Sequence, residues 1–179
     1  MSRKVLGFSG HRHLGKPLDV AAALTGEIKA RVDSGTALAA VSSVAAGADM
    51  LFAEAILAAG LPWTVLLPMP KTLFREDFQS SEWARAEKLI AQANEIRTLE
   101  GTQRPQAYVD VGHVTVDACD ILLAVWDGQP AAGPGGTAEI VAYALSLGRP
   151  VIVFRETENG VTRIELDATA PSTDARTET

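Results

Sequence analysis

Residues 120–137 read DILLAVWDGQPAAGPGGT, and this stretch decides the fold. Ile121 to Trp126 is an apolar run of strand length, halted by Asp127-Gly128. A loop with four glycines follows (Gly128, Gly133, Gly135, Gly136), and Thr137 then opens AEIVAYALSLG, whose apolar residues recur at helical spacing. Strand, glycine-rich turn and helix N-terminus in that order present bare backbone N–H groups and a positive dipole end to an anion. Phosphate is the commonest biological anion held that way, so the pattern points to a nucleotide or phosphoribosyl ligand.

Outward from this stretch, strand-like and helix-like runs alternate. Lys4–Ser9, Leu38–Val44, Trp63–Leu67, Glu95–Leu99 and Val151–Phe154 read as further strands. Pro17–Val32 is a helix with Leu18, Ala21, Leu24, Ile28 and Val32 on one face, and Asp49 is a plausible N-cap for an alanine-rich helix reaching Ala59. A polar segment containing Phe74 and Phe78 leads to a helix near Glu82–Ala93, and Tyr108–Cys119 reads as another. Val161–Leu166 forms an edge strand across an Asn159-Gly160 turn. Apolar strands alternating with helices predict an α/β fold: a Rossmann-like, doubly wound, mainly parallel sheet flanked by helices. One domain spans 1–166, and the polar run 167–179 is expected to be a disordered tail.

The composition fits a soluble globular chain. Its 179 residues suffice for one sizeable core, and 47% hydrophobic content is too high for a disordered chain. The net charge of −6 argues against a nucleic-acid partner, whose phosphates call for a basic face. No apolar run reaches the roughly 20 residues of a membrane span, so no membrane partner is expected, and MSRKVLGFSG reads as a strand without a cleavable signal. The lone Cys119 fits a reducing compartment, which makes the cytoplasm the expected location. It reads as a small core residue. Apolar faces on the helices, such as Leu51, Ala55, Ala58 and the valines of 109–116, suggest a homodimer or higher homo-oligomer.

In an open parallel sheet, ligands bind beyond the carboxyl ends of the strands where strand order reverses. The segments following those ends are Ser9-Gly10-His11-Arg12-His13, Ala45-Ala46-Gly47-Ala48-Asp49, Pro68-Met69-Pro70-Lys71 and 127–137. Glycine, charge and hydroxyl groups therefore gather on one edge, where the loops of Ser9–His13 and Asp127–Thr137 should lie side by side. Arg12 suits an anion clamp, because guanidinium matches phosphate bidentately. Three histidines and one cysteine without a second cluster make no zinc site, and no metal or cofactor is expected. Asp127 suits either a loop cap or a ribose contact, and Trp126 either the core or a base stack.

Three segments together, SGHR at 9–12, VAAGAD at 44–49 and DILLAVWDG followed by GPGGTAEIVAYA, resemble the SLOG superfamily. That group of Rossmann-like domains includes the LOG phosphoribohydrolases, the DNA-processing protein family and nucleotide-sensing domains. The resemblance covers roughly residues 3 to 155. Its most specific part, Gly135-Gly136-Thr137-Ala138-Glu139, resembles the end of the LOG motif PGG-x-GT-x-E with the x-Gly insertion missing. By that resemblance Gly135, Gly136 and Thr137 would hold phosphate, and Glu139 would act at the ribose and glycosidic bond in an enzyme. The candidate ligand-binding set is thus Ser9, Gly10, Arg12, Gly47, Asp49, Asp127, Gly135, Gly136 and Thr137 around a nucleotide-type small molecule.

Two functions stay open: a sensor that binds a nucleotide without turnover, and a nucleoside 5′-monophosphate N-glycoside hydrolase. The arginine motif that LOG enzymes pair with the glutamate has no counterpart here, and this favours sensing. A classical NAD oxidoreductase is disfavoured, because Gly10-His11-Arg12-His13-Leu14-Gly15 lacks the GxGxxG spacing.

Overall fold

Alternation of side chains along short apolar strands sets the architecture. In the computed structural model, which describes residues 3–100 and 103–168, the strand Ile121–Val125 (β5) sends Leu123 and Val125 to one core and Leu122 and Ala124 to another. The strand Val151–Thr157 (β6) divides Ile152 and Phe154 from Val151 and Val153 in the same way. Both faces are therefore buried, which explains continuous apolar runs in place of an apolar–polar alternation.

The remaining strands are β1 (Lys4–Gly10), β2 (Ala37–Ser42), β3 (Trp63–Leu67), β4 (Glu95–Thr98) and β7 (Gly160–Leu166). They form one seven-stranded sheet in the order β4-β3-β2-β1-β5-β6-β7, parallel throughout except for antiparallel β7. The chain steps outward from β1 to β4 and then returns beside β1, in register from Leu6↔Ile121 to Gly10↔Val125. The strand order reverses between β1 and β5, and a cleft is built where those two strands end.

The helices are α1 (Pro17–Asp33), α2 (Ala48–Ala58), a single turn α3 (Lys71–Phe74), α4 (Ser80–Ile90), α5 (Arg104–Ala118) and α6 (Thr137–Ser146). Helices α1, α2 and α4 cover the face that buries Leu24, Phe52, Trp63 and Ile90, while α5 and α6 cover the other with Val116, Ile140 and Val141. Helices α5 and α6 approach closely: a Cβ on Gly112 would lie 2.2 Å from Ile140 Cδ1. The fully buried Trp63 indole donates to Ser42 Oγ at 3.0 Å, so this large side chain enters the core with its N–H satisfied.

Several local expectations change. The buried stripe of α1 is Val20, Leu24 and Ile28, whereas Leu18 is 84% exposed. The N-cap of α2 is Gly47; Asp49 is the helix's second residue. Residues 71–78 are more than a polar connection: α3 and the 3-10 turn Arg75–Asp77 drive Phe74 into the core, with Phe78, Trp83 and Tyr108 around its ring. The hairpin turns at Glu158-Asn159, and Gly160 already pairs with Thr157.

The apolar faces expected to drive self-association are largely consumed within the chain. Ala55, Val109, Val111 and Val116 are buried and Leu51 and Val114 are partly so, because α1 packs along α2 and α6 along α5, whereas Ala58 stays exposed. Cys119 is buried, and burial pushes its thiol up to about 12, in keeping with a small core residue. Among the described residues, no helix is long and apolar enough to cross a membrane. The expected disorder of the tail falls, from residue 169 onward, outside the described residues.

Candidate functional site

The cleft of ≈ 540 Å³ opens at the carboxyl ends of β2, β1 and β5. Its β1 side continues the sheet ladder, since His11 N–H donates to the Val125 carbonyl at 3.2 Å. The loop leading into α2 is then drawn onto the same segment, with Ala48 N–H donating to the His11 carbonyl at 3.0 Å. Gly47 makes this possible: its φ is +87°, and a Cβ there would stand 2.2 Å from the Arg12 carbonyl oxygen. Gly47 thus supports the wall from behind and does not line the cleft.

On the β5 side the glycine loop folds back to α6. Gly135, at φ +74°, would place a Cβ 2.8 Å from the Tyr108 backbone, so glycine lets the loop lie against the start of α5. The Glu139 carboxylate turns towards its own loop and accepts the Gly135 N–H at 2.8 Å. It is therefore spent on loop geometry, and it is absent from the cleft lining. The next two amides remain open: Thr137 and Ala138 N–H have no hydrogen-bond partner among the described residues. Both residues line the cleft at the N-terminus of the ten-residue α6. Two free donors at the positive end of a helix are chemically suited to an anion.

Across the cleft, the Arg12 guanidinium sits 4.9 Å over the Tyr108 ring. The Tyr108 hydroxyl donates to the Asp77 carboxylate, and Arg104 pairs with Asp77 at 2.6 Å and Glu76 at 3.0 Å. This chain of contacts fixes the ring on which Arg12 rests while leaving Arg12 exposed towards solvent. Burial, and then the bond to Asp77, hold the Tyr108 hydroxyl above its usual range, so it stays protonated.

Two aspartates behave differently. Asp127 is exposed, and its carboxyl is held below its usual range, chiefly because it accepts the Gln129 N–H at 2.9 Å and also because His11 stands 3.4 Å away. The His11 Nε2 accepts the Asp127 N–H at 3.1 Å, which ties the first loop to the last. Asp49 is 7% exposed at the first turn of α2, and burial pushes its carboxyl up to about 7. The Ala45 N–H, donating to Oδ2 at 3.1 Å, and the charge of Arg12 oppose that rise.

Ser9, Gly10, Arg12, Asp49, Asp127, Gly135, Gly136 and Thr137 thus share one cleft, with the loops of Ser9–His13 and Asp127–Thr137 adjacent as expected; Gly47 and Glu139 lie behind its walls. Sequence reasoning missed Ser43, Tyr108 and Thr115. For Ser43 a signal existed, since a hydroxyl pair interrupts the apolar strand LAAVSSV. Tyr108 and Thr115 are brought in by the docking of α5, which no local pattern announces. The remaining wall is apolar, from Phe8, Val111, Trp126 and Ile140.

No protein-family model and no curated protein matches the chain. Solved structures do match it. DNA processing protein A from Helicobacter pylori, described for its single-stranded DNA binding mode, is 14% identical with a TM-score of 0.61, over 94% of this chain and 70% of that one. DNA processing protein A from Streptococcus pneumoniae is 14% identical with a TM-score of 0.63, over 88% of this chain; the match spans only 52% of that longer protein. The molybdenum cofactor binding protein from Rippkaea orientalis is 16% identical with a TM-score of 0.56, over 88% of this chain and 79% of that one. The chain shares the Rossmann-like fold of these proteins.

These likenesses correct one expectation. Net charge was read as excluding nucleic acid, yet a protein of this fold binds single-stranded DNA. A total of −6 sums over the whole surface and says little about the field at one edge. Here that edge carries Arg12 and a helix N-terminus.

Proposed function

We propose that the protein binds a nucleotide-type small molecule in the cleft between β1 and β5, with its phosphate on the α6 N-terminus, and acts as a sensor that does not turn the ligand over. The observation that carries this reading is the pair of unpartnered amides at Thr137 and Ala138, in a cleft that Arg12 also lines. Amides and a helix dipole recognise a phosphate oxygen, and a guanidinium on the rim adds charge-assisted bonds. The apolar wall of Val111, Trp126 and Ile140 offers a surface for a base. A lone buried thiol in Cys119 fits a cytoplasmic setting.

Binding without reaction is supported by Glu139, whose carboxylate is engaged with Gly135 and does not line the cleft. In the LOG resemblance this glutamate is the carboxylate that acts at the ribose and glycosidic bond, and a side chain turned back to its own loop cannot stabilise the charge that develops there. A second reading follows from the likeness to the Helicobacter pylori protein: the phosphate cradle would then take single-stranded DNA.

Native mass spectrometry of the freshly purified protein, followed by calorimetric titration with nucleoside 5′-monophosphates and a short deoxyoligonucleotide, tests these readings. Saturable binding of a mononucleotide with no free base released after prolonged incubation is the expected result. Base release would establish the hydrolase. Binding of the oligonucleotide alone would establish the DNA reading, and binding of neither would end the phosphate-cradle interpretation.

A further inference from the structure

The floor of the cleft at the end of β2 carries two polar groups that the protein itself leaves unsatisfied. Asp49 is more than nine-tenths buried, yet only one of its carboxylate oxygens, Oδ2, is hydrogen-bonded; Oδ1 has no partner among the described residues. The Ser43 hydroxyl is shut off from bulk solvent and also lacks a partner. Both residues line the cleft. A buried hydroxyl left unpaired at a cleft wall is costly to the folded protein, and Asp49 Oδ1 beside it is free to accept; a ligand that bonds to both relieves that cost.

Position decides which part of a nucleotide they meet. The α6 amides lie beyond β5 and Asp49 beyond β2, with β1 between them. Two strand spacings separate those ends, about 10 Å, and side chains reach inward from both sides. A phosphate on Asp49 would set two anions together, so the phosphate belongs at α6 and a neutral donor at Asp49. The apolar wall of Val111, Trp126 and Ile140 claims the base. What remains for the β2 end is the sugar edge, whose vicinal hydroxyls donate to a carboxylate and exchange bonds with a serine.

We propose that Asp49 and Ser43 form a sugar-reading subsite, which makes the cleft selective for ribonucleotides over their 2′-deoxy counterparts. This rests on the nucleotide reading above and narrows it. A deoxy ligand leaves one of the two groups without its partner, and a lost hydrogen bond to a charged group corresponds to a preference of about tenfold to a hundredfold.

The test titrates the four ribonucleoside 5′-monophosphates, their 2′-deoxy forms and inorganic phosphate into the wild type, Asp49→Asn and Ser43→Ala. For whichever base binds, the ribo form is expected to bind at least tenfold tighter. Asp49→Asn should bring that ratio close to one, Ser43→Ala should lower it, and inorganic phosphate should bind all three proteins equally. Equal affinity for ribo and deoxy forms in the wild type overturns the proposal. So does a ratio that survives in both variants. Phosphate and nucleotides binding without sugar preference would sink only this inference, whereas failure of every ligand, phosphate included, would remove the nucleotide reading with it.

Discussion

Replacing Asp49 by Asn should make the protein more stable at alkaline pH, although it removes a charged residue from the site. In the unfolded chain this carboxyl titrates near 3.8, and in the folded protein burial raises it to about 7. Below the lower value both states are protonated. Between the two, only the folded state holds the proton, so stability falls as pH rises from about 4 to about 7 and is flat above. At 1.36 kcal/mol per pH unit, that interval amounts to about 4 kcal/mol lost by pH 8. Asparagine is nearly isosteric, keeps an oxygen for the Ala45 N–H and does not titrate. The variant should therefore match the wild type below about pH 4, exceed it by about 1–2 kcal/mol at pH 5 and by up to about 4 kcal/mol at pH 8. With a urea slope of about 2 kcal/mol per molar, the midpoint moves up by about 2 M. Urea unfolding at intervals from about pH 4 to 8.5 reads this directly. Curves that stay parallel across the range, or a variant less stable at pH 8, would refute the placement of Asp49 as a buried, weakly compensated acid.

Other perturbations follow from the cleft walls. Gly47→Ala should destabilise by about 1–3 kcal/mol or more, because a positive φ and a 2.2 Å approach to the Arg12 carbonyl coincide; thermal melting checks it, and an unchanged midpoint would contradict the wall geometry. Arg12→Ala should leave the fold intact and weaken inorganic phosphate binding by roughly tenfold, the scale of one charge-assisted bond; calorimetry decides. Glu139→Ala should cost about 1 kcal/mol through the freed Gly135 N–H while nucleotide still binds, and loss of binding at unchanged stability would return Glu139 to the ligand.

The sheet was legible because buried parallel strands write themselves as apolar runs closed by glycine or proline. Ile121–Trp126 and Trp63–Leu67 match the observed strands to within a residue. Helix faces were harder to read, and α1 shows why: Leu18 looks apolar in sequence, but the stripe that enters the core is Val20, Leu24 and Ile28. Phe74 was placed in a polar connection because a single helical turn leaves no periodicity to detect. Within the site, residues on loops after strand ends were recoverable, since topology alone gathers them at one edge. Residues supplied from elsewhere, Tyr108 and Thr115, required the packing of α5 to be known. Glycines misled in one respect. Gly47 looked like a place for a ligand to approach, whereas the group that approaches is the chain's own Arg12 backbone.

The central claim is that the α6 N-terminus holds a phosphate, and amide-resolved NMR during a nucleotide titration tests it most directly. Ligand bound to the cradle should move the Thr137 and Ala138 N–H resonances downfield and protect both amides from exchange, with smaller shifts at Arg12 and Ser43. Shifts at β7 or along α4 that leave Thr137 and Ala138 unmoved would contradict it.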